Sequence, residues 1–508
     1  MIDFTSIGRR ILVPRALRMD AWQGRVGEVQ RKVLERLVRK GARTKYGVDL
    51  GLEAKSTYED FRRVVPVSHY ADLKPYIMRM VHGEKDVLWP GKVRNFAQSS
   101  GTSDGKSKFI PITEEGLKIN HLGGASMAVS CYLRNNPKSR IFGGKSFILG
   151  GSFANTLDFT LPKGILAGDL SATLISRVPP VIERFFRVPE RRIALLADWE
   201  EKLPALVEAS SKADITNISG VPSWFMTVLE KLLEATGKKT VKEVWPNLEV
   251  FFHGGISFVP YREHYRKLMG DTDINYLETY NASEGFFAVQ DDPEVGSMRL
   301  LLDHGVFYEF LELGGDSPVA AWEVEEGKVY EMLVTSVNGL WRYSPGDTVI
   351  IDSVDPLRIR IVGRTKHFIN AFGEELMVYN ADAAIRKASE LTGASVANYT
   401  AGPLYADTEH KGRHQWIVEF ASRPDSLQRF ADELDKALRR ENSDYDAKRS
   451  HSLFLDPPLI VEAVPGLFDR WLASTGKLGG QRKVPRLSND RNILEAMLAM
   501  NTETSINN

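Results

Sequence analysis

The sequence predicts an α/β protein with a large N-terminal domain of α/β layers that carries a β-barrel-like element, followed by a smaller C-terminal α/β domain. Three observations predict it. Short apolar runs ending in glycine or polar loops alternate with helical spacing through the first half of the chain, strand signals crowd together between Met298 and Val362, and helix–strand alternation returns beyond Gly363 and Arg364. These changes of texture place the domains at 1–364 and 365–508.

At 508 residues the chain exceeds what one hydrophobic core serves. Its 43% hydrophobic and 26% charged residues are an ordinary globular balance, which excludes disorder and fibrous classes. Lys plus Arg and Asp plus Glu both number 66, so no general attraction to nucleic acid or an acidic membrane is written in, and any bound phosphate must be held locally. The single cysteine, Cys131, allows no intrachain disulfide, and no Cys/His cluster offers zinc its ligands. Arg9, Arg10, Arg15 and Arg18 lack an accompanying apolar run, and nowhere do 18 apolar residues stand together. The expectation is a cytoplasmic protein with neither membrane nor nucleic-acid partner. The absence of a heptad repeat adds the expectation of a monomer.

Arg25 to Arg43 spaces Val26, Val29, Val33, Leu34, Leu37 and Val38 as an amphipathic helix covering the large domain. "VRNFAQ" reads as a strand entering a small-residue loop, and "EEGLKINHLGGASMAVSCYL" as the helix after that loop. "LEVFFHGG" and "INYLETYNASEG" are two further strands ending in loops. "GVFYEFLEL", "KVYEMLVTS", "DTVIIDSV" and "LRIRIVG" make the barrel-like element; "YNADAAIRKASELTG", "QWIVEF", "LQRFADELDKALRRENSDYD" and "LIVEAV" alternate as helix and strand in the second domain. The tail "NTETSINN" is polar and reads as frayed.

Ser99 to Lys108, "SSGTSDGKSK", suits a polyphosphate. Small residues and two glycines let backbone N–H groups approach an anion, Lys106 and Lys108 add charge, and the helix expected next would add its dipole. A Walker A loop needs four residues before its Gly-Lys pair, whereas Gly101 and Gly105 enclose three. A surface turn is the bland alternative.

"TYNASEG" supplies Tyr280, Ser283 and Glu284 at a strand end, where a carboxylate can hold Mg²⁺ against phosphate oxygens and a ring can stack on a purine. Gly254 and Gly255 can let backbone approach a flat base, or simply turn. Asp347, after a Pro-Gly turn, can accept two hydrogen bonds from a ribose diol or stabilise its own turn. Singly these stretches leave both readings open.

In this order and spacing the three stretches resemble the Gretchen Hagen family, the auxin-responsive acyl-acid amido synthetases of plants and their bacterial relatives within the adenylate-forming superfamily. The family's SSGTSxGxxK…P motif is matched by Ser99, Ser100, Gly101, Thr102, Ser103, Gly105, Lys108 and Pro111, and TYxxSE by Thr279, Tyr280, Ser283 and Glu284. The third, LYRYRxGD, is matched by Leu340, Arg342, Tyr343, Gly346 and Asp347, with Trp341 and Ser344 departing and Pro345 at the open position. Near the end "QRKVPRL" is similar to the family's Gln-x-Lys-x-Pro-Arg segment.

The resemblance implies ATP and Mg²⁺, small-molecule carboxylic acid and amino acid substrates, and a C-terminal domain that swings between two half-reactions. It implies that Glu284 binds the metal, that Gly255 and the first two motifs with Asp347 bind nucleotide, and that Lys483 is the mobile catalytic lysine. Lys477 in "STGKLGG" is the alternative. His121 and the trio Val221, Trp224 and Phe225 are candidate walls of the acyl site, with core packing the competing account; Cys131 reads as core. An acyl-CoA ligase shares the first half-reaction, and a non-catalytic nucleotide-binding module is the reading from another class.

Overall fold

A computed structural model of the chain describes residues 3–99, 108–153, 160–256, 258, 261–270, 272, 274–313, 315–364, 368–406, 411–450, 455–474 and 484–506. The described residues form two compact units, one ending at Arg364 and the other beginning at Phe368.

In the first unit, helix α1 (Thr5–Asp20) and helix α2 (Val26–Gly41) come first. Helix α2 is the amphipathic helix expected from its spacing and buries Leu34, Leu37 and Val38. Its Gln30 is also fully buried, because its amide donates to the Leu302 and Val306 carbonyls at 2.6 and 3.0 Å and accepts from Tyr308 N at 2.9 Å.

The strands follow as β1 (Asn95–Ser99), β2 (Lys108–Ile112), β3 (Lys145–Ile148), β4 (Leu166–Gly168), β5 (Arg187–Val188), β6 (Ile215–Gly220), β7 (Val250–Gly254) and β8 (Asn275–Ala282). Strands β9 (Gly285–Val289), β10 (Met298–Leu300), β11 (Val306–Glu312), β12 (Val319–Ala320), β13 (Val329–Ser336), β14 (Asp347–Val354) and β15 (Leu357–Arg364) complete the unit. Helix α3 (Leu122–Asn135) lies between β2 and β3, α4 (Trp199–Ser211) before β6, and α5 (Pro222–Thr236) after it.

Twelve of these strands make one sheet in the order β12-β11-β13-β14-β15-β10-β9-β8-β7-β6-β3-β5. The run β5-β3-β6-β7-β8 is parallel and the rest antiparallel. Thus the barrel-like element is an antiparallel extension of the main sheet, joined to it because β10 pairs with β9 on one side and β15 on the other. From β3 the chain crosses to β5 on one flank and then to β6 on the other, so the direction of winding reverses between β3 and β6. Crevices outside the carboxyl ends of strands at such a reversal are where open α/β sheets hold ligands.

The second unit has β16 (Phe368–Ile369) paired with β17 (Leu376–Met377), then helix α6 (Val378–Thr392), β18 (Ser395–Leu404), β19 (Arg413–Ser422), helix α7 (Leu427–Glu441) and β20 (Leu459–Glu462). Its sheet order is β18-β19-β20, antiparallel then parallel. A separate apolar cluster that includes Ile417, Leu467, Phe468, Leu494 and Met497 lies in this unit. Among the described residues no helix is long and apolar enough to cross a membrane.

Candidate functional site

Two parallel strands, β6 and β7, end beside β8, which runs on to Ala282. Register pairs Gly220 with His253 and Gly254 with Thr279, so Val221 and Gly255 leave their strand ends next to Thr279 of β8. The fit requires glycine: a Cβ on Gly254 would lie 2.3 Å from the Thr279 carbonyl oxygen, and Gly255 has φ +84°. Thr279 Oγ1 donates to the His253 carbonyl at 3.0 Å, which ties the second motif to the glycine pair.

Strand β8 turns into β9 through Ser283 and Glu284, since Ala282 and Gly285 are paired; a register shift between Tyr280 and Asn281 bends β8 just before the tip. Below the tip, the Tyr280 hydroxyl donates to Asp347 Oδ2 at 2.5 Å, and both residues are 5% exposed. Asp347 opens β14 directly after Gly346, whose φ of +87° makes the turn. The Tyr280 ring, expected to stack on a base, meets the Phe287 ring in a T-shaped contact with centroids 5.0 Å apart, while its hydroxyl bonds the carboxylate.

The loop expected to hold a polyphosphate is flanked by strand pairing: Ser99 faces Lys108 across β1 and β2. This corrects the expected order of strand, loop and helix, since β2 stands between the loop and the helix and displaces the helix N-terminus from it. The segment "KFIPI" pairs with β1 residue by residue, which outweighs its closeness to the helical run. Ser100, Gly101, Thr102, Ser103 and Lys106 lie outside the described residues, as do Lys477 and Lys483. The Lys108 ammonium sits 5.9 Å from the Tyr70 ring centre, and the Tyr70 oxygen accepts from Phe109 N at 2.9 Å.

After β2 the chain enters a π-helical turn, Gly116–His121, that leads into α3. Asn338, fully buried, joins the parts: Oδ1 accepts from Thr113 N at 3.1 Å and Nδ2 donates to the Glu284 carbonyl at 3.4 Å. The exit of the β1–β2 hairpin, the Ser283–Glu284 tip and the loop that leads to Asp347 therefore meet at one side chain. His121 Nε2 lies 3.5 Å from Asn338 Nδ2. Burial, partly offset by the Asn281 side chain, pushes His121 down to about 4, so its imidazole is neutral at physiological pH.

The third motif is held from behind. Arg342 forks onto Glu309 at 2.8 and 2.9 Å and donates to the Val65 and Arg62 carbonyls, at a φ of +41°. Trp341 is buried with its indole N–H on the Leu88 carbonyl, and Ser344 bonds Glu331. The departures from the family pattern thus serve internal packing and leave Asp347 in place.

Of the three expected apolar walls, Phe225 is fully buried between Phe147 and Phe251, which makes it helix–sheet core. Trp224 is half-buried with its ring edge-on to Trp199, and Val221 caps α5 beside Gly255. Cys131 has no exposure, and burial pushes its thiol up to about 12. Sequence reasoning missed the strand-end glycines Gly150 and Gly151, whose signal equals that of Gly254 and Gly255. It also missed Lys202, buried on α4 with its ammonium on the Gly150 carbonyl at 2.7 Å, for which a helical lysine gives no signal.

Sequence models of three domains of one family match the chain: the GH3 family N-terminal domain over residues 16–274, the central domain over 299–364 and the C-terminal domain over 379–492. The chain belongs to the GH3 family. An indole-3-acetic acid-amido synthetase of Oryza sativa subsp. indica, GH3.8, is 26% identical, covering 96% of this chain and 94% of the rice protein. A jasmonoyl–L-amino acid synthetase of Nicotiana attenuata, JAR4, is 24% identical, covering 64% of this chain, which spans 66% of that relative's length. Among solved structures, the GH3.15 acyl acid amido synthetase has a TM-score of 0.60 at 19% identity, with 95% of each chain covered. A 2-hydroxyisobutyryl-CoA ligase has a TM-score of 0.57 at 13% identity over 94% of this chain and 91% of its own. The GH3 chain shares the fold of these two structures, a large α/β N-terminal domain with a smaller C-terminal one.

Proposed function

We propose that this GH3 chain is an ATP-dependent acyl-acid amido synthetase, a ligase that adenylates a small-molecule carboxylic acid and then passes the acyl group to the amine of an amino acid. The observation that carries the reading is the junction of the three motifs: Tyr280 bonded to Asp347, and Asn338 bonded to both Thr113 and Glu284.

In the first half-reaction a carboxylate oxygen bonds to the α-phosphorus of ATP and the bond to pyrophosphate breaks. Ser99, Ser100, Gly101, Thr102, Ser103 and Lys108 hold the outer phosphates in line; Gly255, Thr279, Tyr280 and Ser283 frame the nucleotide; Asp347 accepts from the ribose diol. In the second, the amine nitrogen bonds to the acyl carbon, AMP leaves with the C–O electrons, and the amine proton passes to solvent. Domain 1–364 carries these sites and domain 365–508 is the mobile one, whose Lys483 offsets charge on the α-phosphate, with Lys477 as the alternative. His121, Val221 and Trp224 border the acyl site. The chain works as a cytoplasmic monomer.

Glu284 suits Mg²⁺: it is a hard oxygen donor, 8% exposed at the hairpin tip, and Mg²⁺ takes one or two carboxylates and completes its shell with phosphate and water. When bound, Mg²⁺ supplies charge neutralisation on the phosphates.

Exchange of labelled pyrophosphate into ATP, run with aryl, indole and fatty carboxylates, tests the reading. Exchange with one class of acid, followed by amino-acid-dependent release of AMP and an amide product by mass spectrometry, is the expected result. A thioester formed with coenzyme A in place of the amide assigns the ligase to the other acceptor, and no exchange with any acid assigns a nucleotide-binding module.

A further inference from the structure

The π-helical turn before α3 contributes a side chain that no motif includes. Asn120 is 1% exposed and takes both backbone groups of Phe286: Oδ1 accepts Phe286 N at 2.7 Å and Nδ2 donates to Phe286 O at 3.0 Å, with a further donation to the His304 carbonyl at 3.1 Å. It stands in for a neighbouring strand at one residue of β9, two places after Glu284. The approach is close on every side. A Cβ on Gly285 would lie 3.0 Å from Asn120 Oδ1, one on Gly124 would lie 2.4 Å from Phe286 Cγ, and one on Gly116 would lie 1.8 Å from Asn338 Oδ1.

Asn338 holds the other side of the tip through the Glu284 carbonyl and anchors it to Thr113. The two asparagines thus grip neighbouring parts of the hairpin, Asn338 at Glu284 from the loop between β13 and β14 and Asn120 at Phe286 from the π-helical turn after β2. π turns recur where a helix must aim residues that an α-helix would misalign, frequently at functional sites. Here the turn puts Asn120 on the hairpin backbone and His121 beside Asn338.

We infer that Asn120 and Asn338 are positioning residues for adenylation: they fix the backbone of the β8–β9 tip and so the direction of the Glu284 carboxylate, without touching substrate. The inference rests on the assignment of Glu284 to the metal and phosphate site. An asparagine that acts only through Glu284 has little left to lose once that carboxylate is gone, whereas one that merely stabilises the fold costs the same in either background.

The test is a double-mutant cycle on kcat for pyrophosphate exchange in the full chain, with melting temperatures measured alongside. Asn120→Ala is expected to lower kcat about tenfold or more in the native background, with a smaller change in KM for ATP, and no more than about twofold in the Glu284→Gln background. Asn338→Ala follows the same pattern more weakly, as its longer 3.4 Å bond to the tip requires. Should Asn120→Ala not fold, Asn120→Asp replaces it, since an aspartate accepts from Phe286 N and cannot donate to Phe286 O. Equal losses in both backgrounds, or unchanged kcat in both asparagine variants, overturn the inference. Full exchange by Glu284→Gln alone overturns the role of Glu284 as well, and is distinguished by appearing before any asparagine is changed.

Discussion

Tyr280 and Asp347, 67 residues apart in the chain, share a 2.5 Å hydrogen bond with both side chains almost wholly buried. The phenol holds one carboxylate oxygen of Asp347 and so restrains the side chain. Tyr280→Phe keeps the ring against Phe287 and removes only this donor. Leaving a buried carboxylate one donor short costs about 1–3 kcal/mol, so ATP-dependent exchange is expected to fall about tenfold or more in kcat/KM, while Asp347→Ala falls by orders of magnitude with the fold intact. Full exchange by both variants would remove Asp347 from the nucleotide site.

Behind Asp347, the Arg342–Glu309 pair ties the third motif to β11 and, through the Val65 and Arg62 carbonyls, to the preceding helical region. A lysine reproduces the charge and loses the fork. Arg342→Lys is expected to destabilise the protein by about 2–4 kcal/mol in urea unfolding and Arg342→Met by a similar amount or more, because each leaves buried Glu309 with fewer donors. Unchanged unfolding midpoints would show that the pair adds nothing net.

Sequence alone made the strand-end glycines and the spacing of the three motifs legible, because an apolar run that stops at Gly254 has one backbone reading and a Pro-Gly turn before Asp347 another. It left the β2 hairpin hidden, since the five residues of "KFIPI" run straight into helical spacing and nothing local says that they fold back on β1. The asparagines were hidden for a different reason. Asn120 and Asn338 do their bonding to residues 166 and 225 positions away, and an asparagine inside a helix or a loop carries no local mark of that. The residues proposed to touch ligand sit in patterned loops; those proposed to aim them are scattered through the elements behind.

Lys202 gives the protein an alkaline signature. Burial pushes its amine down to about 8 from an ordinary 10.5, with Asp169 pulling the other way. Between these values the unfolded chain holds a proton that the folded chain has released, so this group makes stability rise with pH across that window. Unfolding free energy measured from pH 8 to 10.5 should show that upward contribution, and Lys202→Met should remove it. An identical pH profile in the variant would place the Lys202 amine in water.

On the acid side, His121 and His253 act together. Burial holds them down at about 4 and about 3, with Asn281 opposing the shift at His121 and Arg262 adding to it at His253. Both folded values lie below the unfolded 6.5, so the unfolded chain gains protons first and stability falls as pH drops from about 6.5 through these values. His253 stacks on Phe258 at 4.3 Å, and its carbonyl takes the Thr279 hydroxyl, so protonation there loosens the strand ends that carry Gly255 and Thr279. His253→Gln is expected to make the fall in stability between pH 6 and 4 shallower by about one proton's worth of slope, near 1.4 kcal/mol per pH unit at most. A slope unchanged in both His121→Gln and His253→Gln would mean that neither imidazole is kept neutral by the fold.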